Sequence, residues 1–394
     1  MNHETEPLRA RVKKELGPET WIFPLAFAAF FALFAVQMGL ANTINTIMNT
    51  AYHLLMETVF YILAICVIMG AVSSLLAEFG FVALANRLLQ PLMKPVYGLP
   101  GAAALGIVTT FLSDNPAILA LAEDTYFRGY FKKYQFPALT NLGTSFGMGL
   151  IVCTFMYSLT PVMGRSLGGA VIVGLFAAVI GSIVSTRLML SFTKKAFGTE
   201  EAMPHGGAQE SEIPRGYRPI RDGGIGTRAL NAILEGGHNG VEMGLSIIPG
   251  VLVVCTVVMM LINGPSESGA YTGSAYEGIR LIPMIAEKLD FILKPLFGFS
   301  SPEAIGVPVT SLGSAGAALS LVTTLAANGR IDAGDIAVFT AMCMCWSGYL
   351  STHASMMDSL HCKELIGKAL LSHTVGGFAA GVAAHWLYVL VSLL

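Results

Sequence analysis

Runs of about twenty apolar residues, the length a helix needs to cross a bilayer's hydrocarbon core, recur along the whole chain, and no other feature limits its fold so severely. Segments near 22–44, 50–78, 135–160, 166–191, 237–263, 334–357 and 370–394 meet that length with few or no charges. Composition agrees: 54% of the 394 residues are hydrophobic and 12% are charged, against roughly 25% charged in an ordinary soluble domain. A lipid bilayer is therefore the expected surroundings. The net charge of -2 gives no reason to expect a nucleic-acid partner. Most of the six cysteines sit inside apolar runs without a regular framework, and they read as buried residues or functional thiols rather than disulfides. The first twenty residues are polar and charged, so Ile22 is expected to open a retained span after a cytoplasmic N-terminal segment, 1–21.

Two further apolar stretches, 101–122 and 301–327, are interrupted at 109–116 (ThrThrPheLeuSerAspAsnPro) and at 310–316 (ThrSerLeuGlySerAlaGly). Unwound backbone at membrane depth survives only where protein or a water-filled cavity satisfies it. Both stretches are read as re-entrant hairpins, although two full spans joined by a turn would keep the same sidedness. With seven crossings and a cytoplasmic N-terminus, all but five of the 23 Lys and Arg fall on the cytoplasmic side. The five are Arg165, Arg280, Lys288, Lys294 and Arg330. Basic residues resist translocation, so the C-terminus is placed outside and the chain in a bacterial cytoplasmic membrane.

Shifting the chain by 200 lays 94–140 over 294–340 without a gap, with twelve identities that include Lys94/Lys294, Pro95/Pro295, Gly98/Gly298, Gly106/Gly306, Thr110/Thr310 and Gly129/Gly329. Upstream the register becomes 185, because 264–278 is an insertion in the second copy, and His53/Glu57 then lies over His238/Glu242. The resulting division is 22–49 as an extra first helix with an outer loop, 50–193 as the first copy, 194–228 as a cytoplasmic linker and 229–394 as the second copy. Three crossings per copy is an odd number, so the copies are expected to be inverted. Inverted repeats with broken helices are a common plan of secondary transporters, whose substrate site lies at the midplane between the copies. The fold class expected is an all-α polytopic membrane protein, an inverted structural repeat with two re-entrant helical hairpins and interrupted transmembrane helices.

A hairpin followed by an interrupted span, occurring twice in inverted order, resembles the "nucleoside recognition" Gate domain. That domain is shared by concentrative nucleoside transporters, the membrane part of ferrous-iron transporters, spore-maturation membrane proteins and the YjiH type, which is closest in length and layout. The resemblance covers roughly 50–394 and rests on diffuse Gly, Pro and small-polar patterns. It lacks the Asn-Glu-Phe signature of nucleoside transporters and the GTPase domain of iron transporters.

Candidate substrate-binding residues fall at the interruptions. The first hairpin offers Thr110, Ser113, Asp114 and Asn115, with N-cap chemistry before Pro116; the second offers Thr310, Ser311 and Ser314. The facing breaks offer Asn141, Thr144 and Ser145, and Ser347, Thr352 and His353. Small and hydroxylated residues also serve plain helix packing in membranes. Candidate coupling groups are Asp114 and the His53/Glu57 and His238/Glu242 pairs, each pair sharing one helix face at i,i+4, with Na⁺ or H⁺ as the coupling ion; interfacial ion pairs are the alternative. The run Cys343, Cys345, His353, Met356, Met357, Asp358, His361 and Cys362 carries soft ligands but has no counterpart in the first copy, and no resident metal or other cofactor is expected. The function expected is ion- or proton-coupled transport of a small polar molecule (a nucleoside, amino acid or small peptide) by alternating access, in a homo-oligomer with a dimer favoured. A non-transporting scaffold or assembly factor and a transition-metal transporter are the alternatives. No nucleophile–base arrangement points to an enzyme.

Overall fold

The computed structural model describes residues 14–123, 125–203, 220–266 and 268–393, so most of the N-terminal segment and half of the 194–228 linker lie outside the described residues. Within them regular structure is helical, apart from one isolated antiparallel bridge between Lys132 and Ala202. A helix satisfies every backbone group internally, which lipid demands. Among the described residues six stretches are long and apolar enough to cross a membrane: Pro18–Met38, Leu40–Glu78, Ala138–Met163, Gly168–Phe197, Ile225–Ile262 and Lys363–Ser392. The expected seventh, 334–357, is instead two shorter helices, Ala333–Trp346 and Tyr349–Ser359, parted at Ser347 and Gly348.

Residues 45–49, expected in an outer loop, are helical and lie inside a helix that opens at Leu40 and runs 39 residues. Gly39, at φ 81°, breaks the chain between this helix and the N-terminal one. The Asn- and Thr-rich start survives as helix because Thr43, Thr46 and Thr50 are buried on one face. Asn42 and Asn49 meanwhile donate to the carbonyls of Tyr271 and Gly273 at 3.0 and 2.8 Å. The insertion of the second half thus clasps the first long helix. At that helix's other end Glu78, 4% exposed, receives Arg221 at 2.8 Å and Arg228 at 2.6 Å. At 1.5 Å per residue the helix is about 58 Å long, roughly twice the hydrocarbon thickness, so it must tilt or project from the core.

The element order then recurs. The first long helix begins 185 residues before the second and ends 184 residues before it. Each is followed by short surface helices (Phe81–Leu92; Leu281–Lys288 and Asp290–Phe297) and a helical hairpin (Ala103–Leu112 with Ala117–Glu123; Gly306–Ser311 with Ala315–Ala327). A broken helix (Ala138–Thr144 with Gly149–Ser158; Ala333–Trp346 with Tyr349–Ser359) and a closing helix (Gly168–Phe197; Ile366–Ser392) complete each half. Left-handed residues fall at the same places: Gly98 and Gly298 end the surface helices, and Met148 and Gly348 sit in the breaks.

Equivalent helices pack on each other in antiparallel pairs through glycine. A methyl on Gly70 would meet the Gly236 carbonyl at 2.3 Å, and one on Gly240 the Cys66 carbonyl at 2.3 Å. In the closing pair, Gly181 meets Ala380 at 2.6 Å and Gly376 meets Ser185 at 2.5 Å. In both pairs residue numbers rise on one helix as they fall on the other, so equivalent helices run in opposite directions. Lipid is as apolar as leucine and supplies no hydrophobic drive, so close backbone approach holds such helices together.

Candidate functional site

The hairpins converge on the breaks because the breaks expose main chain. Gly348 donates its N–H to the Ser311 carbonyl at 2.9 Å, and Leu350 donates to that of Leu312 at 3.3 Å, so the second hairpin seats on the second broken helix. Ser314 caps the returning helix by accepting from the Ala317 N–H at 3.2 Å. Its hydroxyl also lies against the wide helical turn Gly250–Cys255, where a methyl on Gly250 would stand 2.4 Å from it. Pro249 brings no N–H to that turn, which accounts for its loosened bonding.

At the first hairpin the capping chemistry differs from that expected. Asp114 Oδ1 accepts from the next residue's N–H, that of Asn115, at 2.7 Å. It is Asn115 that crosses to the other half. This residue is 1% exposed, and its Nδ2 donates to the Ser347 carbonyl at 2.8 Å and to Thr352 Oγ1 at 3.4 Å. Its amide lies on Gly147 of the first break, where a methyl carbon would fall 1.6 Å from Oδ1. Three chain segments therefore meet at one amide: the first hairpin tip and both broken helices.

Several expected binding hydroxyls turn inward instead. Thr110, Ser113, Ser145, Thr310 and Ser311 each donate to a carbonyl three or four residues earlier on their own chain. Such back-bonding satisfies the hydroxyl without a ligand. Three buried polar atoms at the seam have no hydrogen-bond partner: Asn115 Oδ1, Ser347 Oγ and His353 Nε2. Other buried side-chain atoms among the described residues also lack a partner, so it is the closeness of these three to the docked hairpin tip that makes the seam the candidate site.

Behind His353 lies a bonded polar chain. Its Nδ1 is 3.5 Å from Thr144 Oγ1, and its ring is 4.4 Å from that of His373. His373 Nε2 bonds the Cys345 carbonyl, which only accepts, so that nitrogen carries the proton. Nδ1 is then an acceptor, and Ser185 donates to it at 2.9 Å while accepting from Asn141 Nδ2 at 3.0 Å. Asn141, Ser185 and His373 are each 1% exposed or less. Sequence reasoning does not single out Ser185 or His373, although an ionisable side chain inside an apolar run is itself the signal.

The remaining expectations lie elsewhere. His53 pairs with Glu57 at 3.0 Å and His238 with Glu242 at 3.4 Å, and all four side chains are exposed. Tyr276 lies 6.1 Å from the His53 ring, and burial, then the charge of Glu57, pushes its hydroxyl up to about 12. The soft-ligand run does not assemble: among the described residues no three His, Cys, Asp or Glu converge as a metal site would require. Asp358 instead pairs with Lys363 at 2.7 Å.

No protein-family model matches the chain, and no curated protein matches it. Among solved structures it is similar to a doubly substituted CNTnw in an outward-facing state, at TM-score 0.48 and 16% identity over 91% of this chain and 89% of that one. A singly substituted CNTnw in the intermediate 2 state gives 0.47 and 14% over 93% and 84%. CNTnw in an inward-facing substrate-bound state gives 0.46 and 13% over 82% and 73%.

Proposed function

We propose that this chain is a secondary transporter of a small polar molecule, working by alternating access. The observation that carries the reading is the seam: one buried amide joins a hairpin tip to both broken helices, amid buried polar atoms that lack partners. A scaffold has no use for unpartnered polar atoms between its halves, and the Ser185–His373 contact beside the seam is buried and closed off by the Cys345 carbonyl and Asn141, as a packing link is. The antiparallel pairing of equivalent helices supports an inverted repeat, with halves at 50–193 and 229–394. Hairpins of this length, with tips docked on broken helices, support the re-entrant reading.

In this reading Asn115, Thr144, Ser347 and His353 contact the substrate, Thr352 is spent on the Gly348 carbonyl and Asn115, and the hairpin tips move against the paired long helices. Sodium ion or proton drives the cycle through Asp114 or the two His–Glu pairs. A nucleoside, amino acid or small peptide suits a site of amide, hydroxyl and imidazole groups. The protein is placed in a bacterial cytoplasmic membrane, N-terminus inside and C-terminus outside, as a homodimer. Purified protein in proteoliposomes, screened for uptake of labelled nucleosides, amino acids and dipeptides under imposed Na⁺ or pH gradients, tests the reading. Gradient-driven uptake that falls in Asn115→Ala supports it; no uptake of any class under either gradient sinks it.

A further inference from the structure

A polar cavity, of about 460 Å³, opens at the base of the second hairpin. It is lined by Asn263, Arg280, Glu303, Asn328 and Arg330 among others. The helix Ala315–Ala327 separates it from the hairpin tip, about 20 Å at 1.5 Å per residue, so it is not part of the seam. Glu303 is 7% exposed, and its Oε2 has no hydrogen-bond partner. Its Oε1 stands 3.7 Å from Arg280 Nη2, close enough to feel the charge but too far for a direct hydrogen bond. Arg280 itself adopts a left-handed backbone, φ 53°, and its stem covers Gly264. Arg330 also lines the cavity.

The first half supplies an internal control. Its hairpin base holds a comparable cavity lined by Asn86, Gln90, Leu105 and Tyr130 among others. In the shift of 200, Ala103 stands where Glu303 does and Tyr130 where Arg330 does. The charged set belongs to the second half alone, so the repeat's architecture does not require it.

We infer that this cavity binds a zwitterion carrying an anionic group and an ammonium a few ångströms apart, whether a free α-amino acid or a phosphoethanolamine headgroup. The guanidiniums of Arg280 and Arg330 take the anion, and Glu303 Oε2 takes the ammonium. A ligand with only an anion gives Glu303 Oε2 no partner, and one with only an ammonium leaves Arg330 unused and Arg280 held between Glu287 and Glu303, at 3.8 and 3.7 Å. Of the three charged groups only Glu303 is buried, so the ammonium relieves the costly unpaired charge, and the anion adds its attraction to the exposed guanidiniums; the zwitterion, which gains both, binds more tightly than either half alone. Binding here does not depend on the transport reading, and the test needs no transport.

Full-length protein in maltoside micelles is titrated by calorimetry with each of the common L-amino acids and with phosphoethanolamine, using acetate and ethylamine as single-charge controls. At least one zwitterion is expected to bind, with Glu303→Gln and Arg330→Gln each weakening it by roughly tenfold or more, and neither control binding. Binding by phosphoethanolamine alone, with protection by phosphatidylethanolamine nanodiscs, assigns the source to lipid; binding by amino acids alone assigns it to the free solute. Arg330 is exposed, so its variant tests the idea even if Glu303→Gln fails to fold. The inference is overturned if no zwitterion binds, if a single-charge control binds equally well, or if affinity is unchanged in Arg330→Gln.

Discussion

Gly147→Ala tests the seam at its tightest point. The added carbon would stand 1.6 Å from Asn115 Oδ1 and 2.7 Å from its Cγ, where ordinary contact needs about 3.5–4.0 Å. The Gly147 main chain cannot easily yield, because its N–H is held by the Thr144 carbonyl at 3.1 Å. Asn115 must therefore swing away and release the Ser347 carbonyl and Thr352. Overpacking a close-packed site costs about 1–3 kcal/mol, and stranding a buried polar group costs about 1–3 kcal/mol more. Asn115→Ala alone forfeits only the second of these. In the double variant the new methyl occupies space that the amide has left. The double should therefore be less destabilised than the sum of the singles by about 1–3 kcal/mol, the interaction energy of residues in contact. Urea unfolding in mixed micelles, followed by tryptophan fluorescence, reads all four proteins; Trp346 lies next to the contacted carbonyl. If the two substitutions add to within about 0.5 kcal/mol, the amide does not rest on Gly147, and the described docking of the first hairpin is wrong.

Three further outcomes follow from the same structure. On a background lacking the six native cysteines, Asp222→Cys should label only from the cytoplasm and Ser268→Cys only from outside; labelling of both from one face removes the inversion. Asp114→Asn keeps the oxygen that accepts the Asn115 N–H, so uptake lower by about tenfold, equivalent to ~1.4 kcal/mol, with unchanged thermal stability marks a coupling carboxylate. Normal uptake with unchanged ion dependence makes Asp114 a structural turn residue. Glu57→Gln and Glu242→Gln should each alter the pH dependence of proteoliposome uptake, differently for opposite gradient directions; wild-type pH profiles in both place the coupling site elsewhere.

The apolar runs and the shift of 200 were legible because lipid imposes length and duplication leaves identities. The breaks were legible too, since Ser, Asn, Gly and Pro stand out inside apolar sequence. The break at Gly39 and the unbroken helix through 45–49 were not legible. AsnThrIleMetAsn at 45–49 looks like a loop until the 264–278 insertion is seen to accept from Asn49, a contact more than 220 residues away in sequence. Local sequence also cannot show which hydroxyls bond their own helix, because threonine at 110 and at 144 differ only in what stands opposite. His373 was hidden for a related reason: its partners Ser185 and the Cys345 carbonyl come from two other helices.

The glycine crossings have a consequence for assembly. Gly181 and Ser185 on one closing helix, and Gly376 and Ala380 on the other, place small residues four apart on both partners, each meeting the other's set. Such a contact is isologous, the kind by which a two-fold dimer closes on itself. Each half therefore brings the same small-residue step to the contact, and the closing helices fit each other through it. Expressed as two separate pieces, the halves are expected to reassociate through these helices and co-purify; failure to do so would show that the small-residue contact alone does not hold them together.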